Sequence, residues 1–378
     1  MKKIFLGLII ILLGGLGGVL TERFLFPYLS ENTFFSKYDF IKRASQNVTV
    51  INKTEQVVIK EEFSIEKIIS QVSSSIVNIV SYTENPIGKK INPNPVIKNG
   101  TGTIVTSDGI IMTYTAAIFS KDARYKVILF DGSIKDAEFL GIDTYSQLAF
   151  LKIDANNLPT ISFANSSDAK IGEKIVAIGN NTPDYSNHYS SNVLGGFDAN
   201  ANLFGSNISS SEKLEGFFRT NFSAGEAYVG GPIVDYLGQV VGIVGVSENG
   251  TAPDFFQIPS NKAKNVLERA IQRDLSSAPY LGIYFLPATK TYFSLNIVSR
   301  ENGALIYSAS GQQGLAIIAN SPAQKAGLKI GDLITAINGQ EINQEKTLPD
   351  LLYQYKKGDT IELTVIRDGE ELKKNVTL

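Results

Sequence analysis

The sequence predicts a mostly β protein with a membrane helix at its N-terminal end and a mixed α and β region at its C-terminal end. From residue 76 to about residue 250, short apolar stretches alternate with turn signals at a spacing of about ten residues. A helical pattern from Asn261 to Arg273 follows and indicates a boundary. The remaining residues mix strands with two helical stretches and end in a predicted hairpin around Arg367–Gly369. We therefore expect a barrel or sandwich followed by a smaller α+β unit.

The first 23 residues contain a candidate membrane segment. Lys2 and Lys3 precede the apolar run Ile4–Leu20, which the polar residues Thr21–Arg23 close. The length of the run lies between a signal-peptide core and a full membrane span, and no small-x-small cleavage motif follows it. We predict an uncleaved signal anchor over residues 1–23 with its lysine end in the cytoplasm, and a removed signal peptide is the alternative. Both interpretations place the bulk of the chain outside the cytoplasm.

The next stretch connects this segment to the folded body. Residues 24–63 are predicted to be a linker or stalk, because most of them are polar and their periodicity is weak. Residues 64–72 have the apolar spacing of a short helix with Ser64 as its N-cap. Ile76–Val80 then predicts a buried strand. We place one domain at residues 64–272 and a second at 279–378.

The predicted strands of the first domain are bounded by turn residues. Several of the strands are apolar and β-branched, for example Lys174–Gly179 and Gln239–Val244. The turns between strands are rich in glycine, and examples are Ser107–Gly109, Phe130–Gly132, Ile171–Glu173 and Tyr236–Gly238. Many short strands joined by such turns are typical of an all-β barrel or sandwich.

Composition excludes several kinds of chemistry. The chain has no cysteine, which excludes disulfides, thiolate nucleophiles and cysteine-based metal sites. His188 is the single histidine in the sequence, so a multi-histidine metal centre is excluded as well. The net charge of −2 gives no basic excess of the kind that nucleic-acid binding needs. We therefore predict no metal, no cofactor and no nucleic-acid partner.

Five stretches, taken in their order along the chain, carry a family resemblance. They are Gly100–Gly109, Gln147–Ile153, Gly172–Asn180, Gly230–Pro232 and Ile258–Asn261. Together they resemble the HtrA/Deg serine proteases, and the resemblance covers residues 64–378. It implies a trypsin-like double six-stranded β-barrel followed by an α+β PDZ domain. One stretch alone would be a weak signal, whereas the ordered set is specific.

The positions that correspond to the catalytic triad of this family hold other residues. The resemblance places Ala116 at the position of the histidine, Gln147 at the aspartate and Val229 at the serine, directly before Gly230–Pro232. The separations of 31 residues from Ala116 to Gln147 and 82 residues from Gln147 to Val229 are similar to the spacing in the family. The resemblance therefore implies a degenerate triad.

The replacements remove the groups that the reaction needs. A serine hydroxyl becomes nucleophilic only beside a base, and the base needs an acceptor that holds its tautomer. Valine has no oxygen, alanine accepts no proton, and glutamine has no charge that could stabilise an imidazolium. In the oxyanion turn, Ala227 and Tyr228 replace Gly-Asn, and Ala227 lacks the backbone freedom of glycine. We predict that the chain has no catalytic residues.

Substitute residues are scarce in the sequence. We interpret His188 as a solvated side chain in a polar loop, and Ser223, six residues before Val229, as a packed or hydrogen-bonded hydroxyl. The acidic pairs Glu61-Glu62 and Glu370-Glu371 have the character of solvated charges and do not show the spacing of a hydrolytic acid pair.

The C-terminal region resembles the PDZ domain of the same family. Tyr280, Leu281, Gly282 and Ile283 resemble the carboxylate-binding loop, whose amides hold the C-terminus of a peptide while the peptide adds a strand to the sheet edge. The most specific stretches are Asn320–Ile334 and Ile337–Gly339. A helix predicted from Leu348 to Tyr355 would wall the groove with Leu348, Leu351 and Leu352. The alternative is that some of these leucines belong to the core.

These predictions lead to one main functional hypothesis and two alternatives. The main hypothesis is a membrane-anchored HtrA-like protein without a catalytic triad, which binds peptides, protein C-termini or unfolded proteins outside the cytoplasm. It would act as a scaffold, as a chaperone-like protein or as a regulator of active relatives in protein quality control. Because the family forms trimers, a homotrimer or a mixed trimer is expected. The alternatives are an active serine-type endopeptidase that uses non-standard residues and an architectural envelope protein.

Overall fold

A computed structural model of the chain describes residues 7, 13–25, 28–29, 65–83, 86–87, 90–91, 96–119, 123–181, 185–203, 208–220, 225–247, 252–276 and 278–378. The predictions for Lys2, Lys3, Ser64 and Ser223, and for residues 30–63 of the stalk, lie outside these residues. The chain divides into two compact units, Met1–Lys67 and Ile68–Leu378.

The first unit contains helical residues near the N-terminus. Residues 13–20 are α-helical, and Thr21–Leu25 continue as a π-helix. Within the described part of the chain, no helix combines the length and the apolar character that crossing a membrane requires.

A closed six-stranded barrel begins the second unit, after a helix at residues 65–72. Its strands are β1 (Ile76–Thr83), β4 (Val96–Ile104), β5 (Ile110–Tyr114), β6 (Arg124–Ile128), β7 (Ile134–Ile142) and β8 (Leu148–Ile153), in the order β1-β4-β5-β8-β7-β6; β2 (Pro86–Ile87) and β3 (Lys90–Ile91) pair with each other. The apolar residues of β5 and β8 are buried, and Ile111 and Leu151 belong to the core of this barrel. The side chains of β5 do not need to alternate between apolar and polar, because this strand is buried over its whole length.

The second barrel is also closed and six-stranded. Its strands are β9 (Lys174–Gly179), β10 (His188–Asn202), β12 (Glu215–Thr220), β13 (Pro232–Val234), β14 (Val240–Ser247) and β15 (Asp254–Pro259), in the order β10-β12-β15-β14-β13-β9. β11 (Ser209–Ser210) lies between β10 and β12 in the sequence but pairs outside this barrel. The prediction of a double six-stranded barrel is therefore confirmed.

The C-terminal region forms a third sheet with short helices. Its elements are the helix Ser260–Ile271, β16 (Tyr284–Pro287), the helix Lys290–Ser294, β17 (Ala304–Ile306), the helix Pro322–Lys325, β18 (Leu333–Ile337), β19 (Gln340–Glu341), the helix Leu348–Leu352, β20 (Thr360–Arg367) and β21 (Glu370–Thr377). The sheet order is β11-β16-β17-β18-β20-β21, with β19 beside β18. β20 and β21 form the predicted hairpin, in which Asp368 and Gly369 both have positive φ, as a tight two-residue turn requires.

Two local predictions were wrong. The helix predicted to reach Tyr355 ends at Leu352, with Tyr353 as its C-cap, and the Tyr353 ring stacks on Tyr145 with a centroid distance of 4.3 Å. His188, predicted to lie in a loop, is the first residue of β10 and pairs in register with Gly179.

Candidate functional site

The segments that hold the three predicted triad positions meet between the two barrels. Ala116 lies in the 3₁₀ helix Thr115–Ala117 directly after β5, and Val229 follows the 3₁₀ helix Gly225–Tyr228. Both residues line a cavity of about 720 Å³. The third position, Gln147, joins them through the backbone, since its carbonyl accepts a hydrogen bond from the Thr115 N–H at 3.0 Å.

A tight turn fixes Gln147 just before β8. The Gln147 N–H donates to the Asp143 carbonyl at 2.8 Å, and its backbone has a φ of 62° in the left-handed region. Its side-chain amide donates to the Thr144 carbonyl at 3.1 Å. The turn is closed by the carboxylate of Asp143, which accepts from the N–H of Ser146 at 2.8 Å and from its hydroxyl at 2.7 Å. The amide of Gln147 is therefore used to close its own turn.

The cavity lining contains few polar side chains. Among its described residues, the polar side chains are those of Lys98, Asn99, Asn181 and Glu226. None of these is a hydroxyl, a thiol or an imidazole, which are the usual nucleophiles and bases of peptide hydrolysis. The described part of the lining therefore offers no nucleophile paired with a base.

The backbone amide of Val229 is hydrogen-bonded within its own turn. An oxyanion hole needs neighbouring N–H groups that face the reacting carbonyl. Here the Val229 N–H makes a long hydrogen bond of 3.5 Å to the Glu226 carbonyl, and the side-chain amide of Asn181 donates to the same carbonyl at 3.1 Å. The Glu226 carbonyl is thus held where it engages the amide that an oxyanion would need.

The glycine pair after Val229 has a steric role. Gly230 has a φ of 84°, and a Cβ added there would lie 2.3 Å from the Thr113 hydroxyl oxygen. A Cβ added at Gly231 would lie 2.0 Å from the Ile178 carbonyl oxygen. Both glycines are needed to let the turn pack against the barrels, whatever side chain precedes them.

The four residues predicted to form a carboxylate-binding loop lie directly before β16. Leu281 and Ile283 are buried, Tyr280 is partly exposed, and Gly282 has a φ of 82°. A Cβ added at Gly282 would lie 2.4 Å from the Cβ of Ser321, so glycine is required. The loop carbonyls are anchored from behind, because the Leu281 carbonyl accepts from the Ala323 N–H at 3.0 Å. The N–H groups of Leu281 and Gly282 donate to a side chain from another part of the chain.

That group is one that the sequence did not reveal. The N–H groups of Leu281 and Gly282 donate to Oε1 of Glu212 at 3.1 and 2.8 Å, and the Ile283 N–H donates to the Ser211 hydroxyl at 3.1 Å. The neighbouring β11 pairs antiparallel with β16. The Ser-Ser-Ser-Glu stretch from Ser209 has neither apolar periodicity nor a known motif, so no sequence signal indicated this contact.

The predicted groove leucines lie in the core of the C-terminal region. Leu348 and Leu351 are each about 1% exposed and belong to its apolar cluster. Leu348 also borders a small cavity beside Phe285 and Glu215. Glu215 comes from β12 of the second barrel, so this side of the groove is closed by the barrel.

Glu215 is an unusual buried acid. It is 1% exposed, and its Oε1 has no hydrogen-bond partner among the described residues. Burial, together with the nearby charge of Asp350, raises the pKa of Glu215 to about 8, against opposing effects of a Ser209 hydrogen bond and of Lys262. Lys262 forms a 2.9 Å ion pair with Asp350 and also donates to the Glu215 carbonyl.

A second set of polar contacts joins the first barrel to the same helix end. The Tyr353 hydroxyl donates to Asp143 at 2.7 Å, and the Tyr145 hydroxyl donates to Asp350 at 2.7 Å. Burial raises the pKa of the Asp143 carboxyl, although the hydrogen bonds from Ser146 and Tyr353 oppose the shift. The turn that holds Gln147 is therefore bonded directly to the C-terminal region.

The part of the chain that the structure describes contains no group of three or more histidine, aspartate or glutamate side chains that could hold a metal ion.

Comparisons with known proteins agree with this architecture. Residues 100–243 match the family described as trypsin-like peptidase domain, and residues 279–378 match the family described as PDZ domain. The chain is 28% identical over 309 residues to a probable periplasmic serine endoprotease, DegP-like, of Brucella suis biovar 1 (strain 1330), covering 79% of this chain and 56% of that protein. It is 28% identical over 291 residues to the serine protease Do-like HtrA of Bacillus subtilis (strain 168), covering 74% of this chain and 61% of that protein. The chain therefore spans little more than half the length of these relatives.

Solved structures share the fold. The HtrA-type protease AlgW with a tripeptide matches with a TM-score of 0.62 at 23% identity, over 82% of this chain and 95% of that chain. A serine endoprotease from Yersinia pestis matches with a TM-score of 0.55 at 23% identity, over 82% of this chain and 96% of that chain. With a match to the trypsin-like peptidase domain followed by a match to the PDZ domain, the chain is similar to the HtrA/DegP-type serine proteases.

Proposed function

We propose that the chain is a non-catalytic relative of the HtrA proteases, anchored in a membrane through residues 1–23, which binds peptides, protein C-termini or unfolded chains outside the cytoplasm. The observation that carries the proposal is the cavity lining around Ala116 and Val229, whose described residues offer no nucleophile with a base. The location is supported by relatives that are named periplasmic. The apolar run Ile4–Leu20 supports the anchor.

The geometry of the turn adds a second argument against hydrolysis. In working proteases, removing one donor from the oxyanion hole lowers kcat by a factor of about 10²–10³. Here the Val229 amide is engaged by the Glu226 carbonyl, and Asn181 holds that carbonyl in place. The loss of nucleophile, base and free amide together leaves binding as the activity that this cavity supports.

The PDZ domain provides the second binding surface. Its loop amides, at Leu281 to Ile283, are arranged to hold a carboxylate, and a peptide strand could pair with β16 on the side where β11 lies. AlgW, which shares this fold, has been solved with a tripeptide and with a decapeptide. We propose protein C-termini as the principal ligands of this loop, with the chain acting as a scaffold, alone in a homotrimer or in mixed trimers with active relatives.

Active-site labelling tests the non-catalytic assignment. The full chain is incubated with a fluorophosphonate probe and, separately, with casein, beside a Val229→Ala variant; trypsin is the positive control. We expect labelling and casein cleavage by the wild type to equal those of Val229→Ala, because neither chain has a hydroxyl at the triad position.

Labelling or cleavage above that of Val229→Ala would overturn the proposal. Equal but substantial labelling of both chains would also overturn it, and loss of that signal in Ser223→Ala would identify a substitute nucleophile. The architectural alternative makes a different prediction, since a purely structural protein would bind no free peptide C-terminus.

A further inference from the structure

The carboxylate-binding loop of the PDZ domain is occupied by a side chain of the same molecule. Oε1 of Glu212 accepts from the N–H groups of Leu281 and Gly282 at 3.1 and 2.8 Å. These are the amides that would hold the carboxylate of a peptide end. The carboxylate of Glu212 therefore stands where a peptide C-terminus would bind.

The residues before Glu212 pair with β16 as the residues of a bound peptide would. Ser209 lies opposite Phe285 and Ser210 opposite Tyr284, in an antiparallel pairing with β16 that makes β11 the edge strand of the sheet. The next residue continues the pairing, because the Ser211 N–H donates to the Ile283 carbonyl at 3.1 Å. The segment runs along the sheet edge toward the loop, which is the direction a bound peptide takes as its C-terminus approaches the amides.

Two serine hydroxyls of the same segment also donate hydrogen bonds to the Glu212 carboxylate. The Ser211 hydroxyl donates to Oε1 of Glu212 at 2.5 Å, and the Ser210 hydroxyl donates to Oε2 at 3.0 Å. Two serines thus fix the orientation of the carboxylate before it meets the loop. Charge-assisted hydrogen bonds of this kind are about twice as strong as neutral ones, so the contact is a substantial competitor.

We propose that Ser209–Glu212 is an internal ligand of the PDZ loop, and that peptides with a free C-terminal carboxylate bind only by displacing it. This inference rests on the proposed peptide-binding function and adds its regulation. The competing ligand must supply an extended backbone for β16 and an α-carboxylate for Leu281 and Gly282. An amidated peptide end satisfies the first requirement and fails the second.

Glu212 occupies the carboxylate-binding loop, but open space remains beside it. A cavity of about 160 Å³ lies beside Glu212 and is bordered by Tyr280, Tyr145 and Leu352. Glu212 itself is half-buried, and Tyr280 is partly exposed. An arriving carboxylate can therefore reach the loop as the internal one leaves.

Peptide binding by the full chain tests the proposal. The probes are fluorescein-labelled peptides Asn-Ile-Ser-Ser-X, which copy residues 207–210 and end in each standard amino acid, as free acids and as amides. Fluorescence anisotropy compares the wild type with Glu212→Ala and with Glu370→Ala, a matched change at an exposed position of the distant hairpin. We expect Glu212→Ala to bind the best free-acid peptide about tenfold or more tightly than the wild type, and Glu370→Ala to equal the wild type.

The possible outcomes separate the two proposals. Equal, measurable affinity of the wild type and Glu212→Ala would overturn the internal ligand and leave the peptide-binding function standing. Binding by neither chain would overturn the peptide-binding function itself. A gain that is the same for acids and amides would overturn the carboxylate competition.

A crosslink provides an independent test. Because the chain has no cysteine, Ser210→Cys with Tyr284→Cys gives one defined disulfide between cross-strand partners. We expect the oxidised double variant to lose binding of the free-acid peptide and the reduced form to recover it. Failure of the two cysteines to crosslink, or equal binding in both redox states, would contradict the proposal.

Discussion

Glu215 gives a prediction with a definite sign and size. Its carboxyl is 1% exposed, and its pKa is raised from an ordinary 4.5 to about 8, chiefly by burial. Between these two values the unfolded chain releases the proton and the folded chain keeps it. Folding therefore binds a proton in this window, and the stability that Glu215 supplies below pH 4.5 is lost progressively as the pH rises to about 8.

The magnitude follows from the size of the shift. Each unit of pKa corresponds to about 1.4 kcal/mol, so at pH 7 the cost reaches roughly 3 kcal/mol. The charged groups facing Glu215 are Asp350, which raises its pKa, and Lys262, which lowers it. At about 2 °C per kcal/mol for a domain of this size, the cost corresponds to about 6 °C in Tm.

The assay is thermal unfolding of the wild type and Glu215→Gln from pH 4.5 to pH 8. Glutamine keeps the shape and cannot ionise, so we expect the difference in Tm between variant and wild type to grow steadily toward pH 8. Because the amide also alters local hydrogen bonding, the informative quantity is the change of this difference with pH. Glu268→Gln, at an exposed position of the helix Ser260–Ile271, is the control.

Curves of Tm against pH that run parallel for the wild type and Glu215→Gln would contradict a raised pKa of Glu215. They would mean that Glu215 is solvated or ionised in the folded protein, and the closure of the groove by β12 would have to be abandoned.

Two further predictions concern packing. Tyr353→Phe removes the 2.7 Å hydrogen bond to buried Asp143 and should reduce the free energy of unfolding, measured by denaturant titration, by about 1–3 kcal/mol. The control is Tyr355→Phe, because the Tyr355 hydroxyl accepts from an exposed Asn338 amide, and it should change the free energy of unfolding by less than about 0.5 kcal/mol. Similar losses in the two variants would argue against the buried contact. Gly230→Ala should lower Tm much more than Gly132→Ala. The two glycines have φ values of 84° and 81°, but only at Gly230 does an added Cβ meet atoms within 4 Å, so equal losses would show that backbone strain alone matters.

The sequence predicted the barrels well because their signals are local. The apolar run Lys174–Gly179 became β9 with the predicted bounds, and the turn at Asp368-Gly369 became the terminal hairpin. The meeting of Ala116 with Val229 was expected through the family resemblance, since no local pattern connects residues so far apart. Side-chain identity at those two positions is the basis of the prediction that the catalytic chemistry is missing, and that prediction awaits the labelling experiment.

The contact between Glu212 and Leu281 could not be predicted in this way. β11 is a strand of two serines, without apolar residues or alternation, and a glutamate after serines resembles an ordinary solvated charge. What makes it a ligand is the loop 69 residues later, whose amides need an anion. Tyr353 was missed as an interface residue for a related reason. It falls within a helical pattern in the sequence, and only the folded structure shows that its ring stacks on Tyr145.

Because β11 belongs to the same chain as the loop, the concentration of competing peptide that is needed to open the site is affected. An internal ligand is tethered, so the loop meets it at an effective concentration on the order of millimolar, however dilute the protein is. Dilution therefore cannot open the site, in contrast to a contact between two separate copies. Free peptide ends must overcome that fixed local concentration, and several ends presented together on one assembly would do so at a far lower total amount than the same ends dispersed in solution.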